Sequence, residues 1–339
     1  MKVSVIVPVY NTANYLYKNL TSIINNSFTN IEILCINDAS TDNSLKILQE
    51  FQCKDSRIKI VNNNKNMGVA YTKQVGLDKA IGEYIMVVDS DDFVAPNFIQ
   101  IAFEAIEESQ ADIVFFQHAI YPAEARAEFQ YNMLINPEYK ISHQEKALLH
   151  LYAFDCFKIY KKQLAIDNNI KYLIVRSFED IYFNTCLLAC AKLVQFLPKT
   201  LYYYCIRESS ITNTNSIQTV LDLITVFTAL KNYLTKKNLW NEYKEVILLN
   251  KYKKVYSYYI GVLIQGLATY NLQQVLQGNS SFEELLSIKP KLKGKIFFFM
   301  KRILKPEITD FFTINYLKYM FHISNLFIKQ RFKNKNLQK

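Results

Sequence analysis

The stretch Gly82-Glu83-Tyr84-Ile85-Met86-Val87-Val88-Asp89-Ser90-Asp91-Asp92 decides how the rest of the chain is read. Ile85 to Val88 form a short, continuous apolar run behind a glycine, the pattern of a strand buried on both faces of a parallel sheet. Carboxylates at 89, 91 and 92 follow at once. Like charges this close repel one another unless a cation sits among them. Oxygen-only ligands suit a hard divalent ion, Mg2+ or Mn2+. A solvated acidic turn accounts for these residues equally well, so the neighbouring segments have to decide.

Working outward, the preceding residues alternate between strand and helix patterns. Val3 to Val9 reads as a strand. A helix follows with Leu16, Leu20, Ile23 and Ile24 on one face. Ile31 to Ile36 is a second strand, and Ser40 or Thr41 is placed to cap the next helix, with Leu45 and Leu48 inward. Ile58 to Val61 is a third strand, and a helix over 69–80 leads into the strand at Tyr84. Such alternation predicts a parallel sheet with right-handed crossovers. Every strand exits into polar residues: Tyr10-Asn11, Asn37-Asp38, Asn62-Asn63-Asn64 and the aspartate run. Ligands of open α/β sheets bind at this carboxyl edge.

The next section is more mixed. Pro96 suits the first turn of a helix reaching Ser109. Ile113 to Ile120 is a strand, Ser142-His143-Gln144-Glu145 matches a capping box, and Glu179-Asp180 open an apolar helix. Tyr202 to Ile206 is again strand-like, and 217–277 is helical in pattern.

The chain has 339 residues, 50% of them hydrophobic, with 24 Tyr and 23 Phe. That is enough to bury a sizeable core, and the composition is that of an ordered, helix-rich protein. The six cysteines include no Cys-x-x-Cys pair, so they read as reduced thiols, and the four histidines lack zinc-ligand spacing. No signal peptide is expected, and no apolar run reaches the roughly 18 residues that a membrane span needs. The net charge of +10 is uneven. Residues 289–339 carry 13 Lys and Arg against two acids, Glu307 and Asp310, and the remainder carries 27 basic against 28 acidic side chains.

No Gly-x-Gly-x-x-Gly, Walker loop or Gly-x-Ser-x-Gly is present. A nucleotide diphosphate held here therefore needs a metal and basic side chains to neutralise it. The segments Val3-Ser4-Val5-Ile6-Val7-Pro8-Val9-Tyr10-Asn11, Asn37-Asp38-Ala39-Ser40-Thr41-Asp42, Asn66-Met67-Gly68 and Asp89-Ser90-Asp91-Asp92 resemble, in order and spacing, the family 2 inverting glycosyltransferases of bacterial surface-glycan type. Farther on, Lys158-Ile159-Tyr160, Glu179-Asp180 and Tyr204-x-x-Arg207-x-x-Ser210-Ile211-Thr212 are similar to the acceptor-side signatures of that family.

The resemblance implies an α/β GT-A fold, Rossmann-like with a mostly parallel sheet flanked by helices, followed by a helical C-terminal region. It implies a nucleotide-sugar half at 1–95, an acceptor half at 96–215 and a helical region at 216–288. It also implies roles for residues. Pro8 and Tyr10 bracket the nucleobase, and Asp38 accepts a bond from uracil. Asp91 ligates Mn2+ or Mg2+, with Asp89 on the metal or the ribose. Ser90 and Asp92 belong to the same donor contact. Asp180 is the general base beside Glu179. Lys73 stands where the family usually has an arginine that reaches the nucleotide, and Arg207 is a candidate for the diphosphate.

The implied reaction moves a sugar from a UDP-sugar to a hydroxyl of a glycan or lipid-linked glycan acceptor. A sugar transferase to polyprenyl phosphate and an inactive sugar-nucleotide-binding scaffold are the alternatives. Residues 289–339 mix Phe297-Phe298-Phe299-Met300, Phe311-Phe312 and Phe321-His322-Ile323 with Lys and Arg. The segment reads as a tail for an anionic membrane surface, giving a cytoplasmic protein on the inner face of the cell membrane. The other reading of the tail packs its aromatics on the helical region. No nucleic-acid motif accompanies the basic residues.

Overall fold

The computed structural model describes residues 1–122, 154–206 and 217–244, with 247, 248, 250, 251, 254, 255 and 258. The chain divides into units Met1–Tyr270 and Asn271–Lys339, and all described residues lie in the first. Arg207, the capping box at Ser142 and the basic tail lie outside them.

Four strands, β1 (Val3–Val9), β2 (Ile31–Asn37), β3 (Ile58–Asn62) and β4 (Tyr84–Val87), alternate with α1 (Ala13–Ile24), α2 (Ser44–Lys54) and α3 (Val69–Lys79). They pair in parallel in the order β3-β2-β1-β4, as the alternating pattern requires. Every residue of β1, β2 and β4 is buried, because helices cover both faces. Leu16, Leu20 and Ile23 of α1 reach 0% exposure against Val3, Val5, Val7 and Val9. Burying each stabilises the packing by about 2 kcal/mol. The opposite face takes α3 at close range: a Cβ at Gly76 would lie 2.4 Å from Ile6 Cγ2. Only glycine lets that helix sit on the sheet there.

The other half is mixed. β4 continues antiparallel into β7 (Lys158–Lys161), then β6 (Ile113–Tyr121), then β8 (Val194–Cys205) parallel to β6, and β5 (Phe93–Val94) antiparallel at the edge. Helices α4 (Phe98–Ser109), α5 (Lys162–Asp167), α6 (Glu179–Cys190) and α7 (Ile217–Lys236) accompany them. Among the described residues, no helix is long and apolar enough to cross a membrane.

Several boundaries differ from the sequence reading. β8 starts at Val194 and β7 and β5 are additional strands, because sheet partners recruit short segments whose own pattern is weak. α4 begins at Phe98, not in the turn at Pro96, whose carbonyl accepts the Ser27 amide instead. Ser40 and Thr41 do not cap α2. Asp42 Oδ1 takes the Ser44 amide at 2.9 Å, and the hydroxyls of Ser40 and Thr41 turn to Asn11 across the β1 loop.

Candidate active site

The carboxyl ends of β1, β2 and β4 lie side by side, and the residues beyond them interlock. Asn11 Oδ1 accepts the Thr41 amide at 2.8 Å, and its own amide donates to Ser40 Oγ at 3.1 Å. Asp42 receives the Ala13 amide at 3.0 Å, serving the starts of α1 and α2 together. Non-glycine residues with positive φ gather here: Asn11 at 51°, Ala39 at 55° and, before α6, Phe178 at 68°. Alanine and phenylalanine enter this region only where their surroundings impose it.

Asp38 is 2% exposed. Its Oδ1 accepts Asn63 Nδ2 at 2.7 Å and the Met67 amide at 2.9 Å, and its Oδ2 accepts the Gly68 amide at 2.8 Å. One carboxylate thus shapes the loop between β3 and α3, with Gly68 at φ 87° supplying the turn. Pro8 is buried in β1 opposite Ile36, and Tyr10 at the strand exit is 46% exposed. The Asp38 amide donates to the Val9 carbonyl at 2.8 Å, so the exposed Tyr10 and the buried Asp38 leave neighbouring strand ends.

The turn after β4 is held from three sides. Asn19, on the buried stripe of α1, donates to the carbonyls of Asp89 and Asp92 at 3.0 and 2.9 Å. Thr12 Oγ1 bonds the buried Ser90 hydroxyl at 3.0 Å. Tyr202 Oη accepts the Asp89 amide and donates to Asp92 Oδ2 at 2.7 Å, and the Cys205 amide donates to Asp92 Oδ1 at 2.7 Å. Asp92, at 2% exposure, is thus enclosed by the protein, whereas Asp89 and Asp91 are half-buried. Burial, then Asp91 and Asp89, pushes the Asp92 carboxyl well above its ordinary range. One ligand atom each from Asp89, Asp92 and Cys156 lie within 4.8 Å of one another. Mutual repulsion among carboxylates anchored by their backbones is what a hard cation relieves. The partly exposed oxygens of Asp89 and Asp91 fit that donor chemistry. The Cys156 thiol, pushed well above its usual range by burial and then by Asp89 and Asp92, does not.

In the second half of the fold, Glu179 and Asp180 open α6. Asp180 Oδ1 accepts the Ile181 amide at 2.8 Å. Burial, then the Glu179 charge, raises its pKa to about 8, with Lys73 opposing. Lys73 does not point outward from α3. Its ammonium is buried and donates to Asp155 Oδ2 and Glu179 Oε1, each at 2.9 Å. Burial works against its charge, but Asp155, Glu179, Asp89 and Asp180, in falling order, raise its pKa well above the usual value. Lys158 donates to Asp155 Oδ1 at 3.2 Å. One lysine thus holds the 3₁₀ turn at Asp155 and the start of α6 together, within electrostatic reach of Asp89.

Some contributors are invisible to pattern reading. Asp155 sits in a single 3₁₀ turn and carries no motif. Lys254 and Tyr258, in helical residues after 240, bear on Asp180. Burial lowers the Lys254 pKa against the opposing effect of Asp180, and the Tyr258 ring meets Phe178 at 5.1 Å. Asn19 did leave a signal, a polar residue on the apolar stripe of α1.

Residues 4–167 match the model of the glycosyl transferase family 2. The glycosyltransferase GlyG of Streptococcus pneumoniae is 30% identical over 240 residues, covering 66% of this chain and 78% of that protein. The cholesterol galactosyltransferase of Borreliella burgdorferi is 28% identical over 310 residues, covering 86% of this chain and 84% of the other. Among solved structures, S. aureus TarS 1-349 in complex with UDP-GlcNAc shares the fold at a TM-score of 0.69 and 21% identity, over 88% of this chain and 81% of that one.

Proposed function

Because the chain belongs to glycosyl transferase family 2 and is a glycosyltransferase, we propose that it moves a sugar, with inversion, from a UDP-sugar to a hydroxyl of a glycan or lipid-linked acceptor. The observation that carries this reading is that two kinds of carboxylate act on the buried Lys73, Asp89 of the turn after β4 and Asp180 beside the Lys73-bound Glu179 at the start of α6. The first kind suits a metal-bound diphosphate, the second a base.

On this reading the Tyr10 ring stacks on the uracil and Asp38 orders the loop around it. Asp89 and Asp91 are the residues that would hold Mn2+ or Mg2+, which when bound neutralises charge on the departing diphosphate. Asp180 accepts the proton of the acceptor hydroxyl as that oxygen attacks C1. A carboxylate raised to about 8 is a stronger base than an ordinary aspartate and is poised near working pH. The UDP-GlcNAc bound to TarS supports a uridine nucleotide, and the sterol acceptor named for the Borreliella relative supports a hydroxyl on a lipid.

The deciding experiment is a donor screen. Protein and Mn2+ are incubated with each nucleotide-sugar, and nucleoside diphosphate release is measured with and without surface-glycan or lipid acceptors. UDP release that depends on one sugar and on an acceptor is expected. Release only from non-uridine donors rejects the nucleobase assignment. We further propose that residues 289–339 bind anionic membrane. Full-length protein should sediment with phosphatidylserine vesicles, and protein ending at Ile288 should not.

A further inference from the structure

Lys73, Asp155, Lys158 and Glu179 form a buried cluster in which no side chain is more than 8% exposed. It joins segments far apart in sequence, since 82 residues separate Lys73 from Asp155 and 106 separate it from Glu179. Buried ion pairs of this kind are commonly no more stabilising than apolar packing, because desolvation offsets their attraction. What they supply is direction: each ammonium must meet its carboxylates at one geometry. Here the geometry governs the entry to α6. Glu179 is its first residue, and the chain arrives through Phe178 at φ 68°, a conformation that its surroundings must hold. Lys73 grips that entry from α3, and the Tyr258 ring packs on Phe178. Asp180 follows directly, and its Oδ1 accepts the Ile181 amide.

We propose that Lys73 is a positioning residue: through Glu179 it fixes the entry to α6 and so aims the Asp180 carboxylate, and it does not bind the donor diphosphate. Its ammonium donates to two protein carboxylates, and α3 runs unbroken from the Asp38-bound Gly68 past this contact. The functional consequence rests on Asp180 acting as the base. The structural claim does not.

The test compares wild type with Lys73→Met, Lys73→Arg and the pair Lys73→Met/Glu179→Gln. The pair removes one charge of each sign and leaves Asp155 with Lys158, so it remains foldable where Lys73→Met alone strands the buried Glu179 carboxylate. The charged or titratable groups bearing on Asp180 are Glu179 of α6, Lys73 of α3, Asp155 of the 3₁₀ turn, and Lys254 and Tyr258. Glu179 and Lys73 act on it with opposite sign. The pair should therefore leave the acid limb of the pH–kcat profile near its wild-type position, while Lys73→Met moves that limb to higher pH.

In the pair, kcat should fall about tenfold to a hundredfold, the scale of a misplaced reacting group, while donor KM changes by less than about twofold. Hydrogen exchange at the amides of 179–183 should quicken. Lys73→Arg should restore most of both. A raised donor KM at unchanged kcat would overturn the proposal and return Lys73 to the donor, as would unchanged exchange in the pair. Exchange is read without sugar transfer. If the wild type transfers no sugar, the functional reading fails by itself, and exchange still decides the position of α6.

Discussion

Asp180→Asn should make the protein more stable and abolish its chemistry. Folding raises the carboxyl from 3.8 to about 8, mainly by burial and then by Glu179. The native state therefore binds a proton between those values that the unfolded chain releases, and this residue's contribution to stability falls as pH rises through that window. A pKa difference of this size costs at most about 4 kcal/mol at pH 7, and about 1 kcal/mol at pH 4.5. The first figure is a ceiling because water reaches part of the side chain. The amide has no charge to desolvate, and its oxygen still accepts the Ile181 amide. Thermal or urea unfolding of both proteins at the two pH values should show the variant ahead by up to about 4 kcal/mol at pH 7, with the gap shrinking as pH falls. Sugar transfer should drop by about a hundredfold to ten-thousandfold, the range for losing a general base. A variant that is less stable at pH 7, or a gap that widens toward low pH, would refute the buried-carboxylate account.

Three further outcomes follow from particular contacts. Asp91→Asn should fold normally and transfer at least about a hundredfold more slowly, and EDTA should silence the wild type until Mn2+ or Mg2+ is restored; undiminished activity in EDTA removes the metal from the mechanism. Asp38→Ala releases the amides of Met67 and Gly68, so UDP affinity should weaken by about 1–3 kcal/mol and exchange at 63–68 should quicken, as titration calorimetry and hydrogen exchange would reveal. Gly76→Ala forces a Cβ onto Ile6 and should cost about 1–3 kcal/mol in denaturant unfolding, a cost that Ile6→Ala should relieve; persistence of the full penalty in that background would place the clash elsewhere.

Local rules made the parallel half of the fold legible. The apolar runs of β1, β2 and β4 are continuous because both faces are covered, and α1 shows its buried stripe at helical spacing. A strand's polar exit can be read residue by residue, so Tyr10, Asp38 and the 89–92 turn stand out as candidates in the sequence alone. β5 and β7 do not, because two to four residues carry no periodicity and the pairing partner decides, and β8 starts early because Val194 to Leu197 pair with β6.

Within the site, sequence supplies the residue types and only the tertiary structure supplies their pairing. By the resemblance, Lys73 stands where an arginine reaches the nucleotide, and a helix lysine ordinarily keeps its head in water. It turns inward here because Asp155 and Glu179, more than 80 residues away, present two carboxylates at 2.9 Å. Asp92 likewise looks like its neighbours in the acidic run until the Tyr202 hydroxyl and the Cys205 amide enclose it. The charge of a side chain is written in the chain; which charge it meets, and therefore its protonation and its direction, depends on long-range contacts that no local pattern encodes.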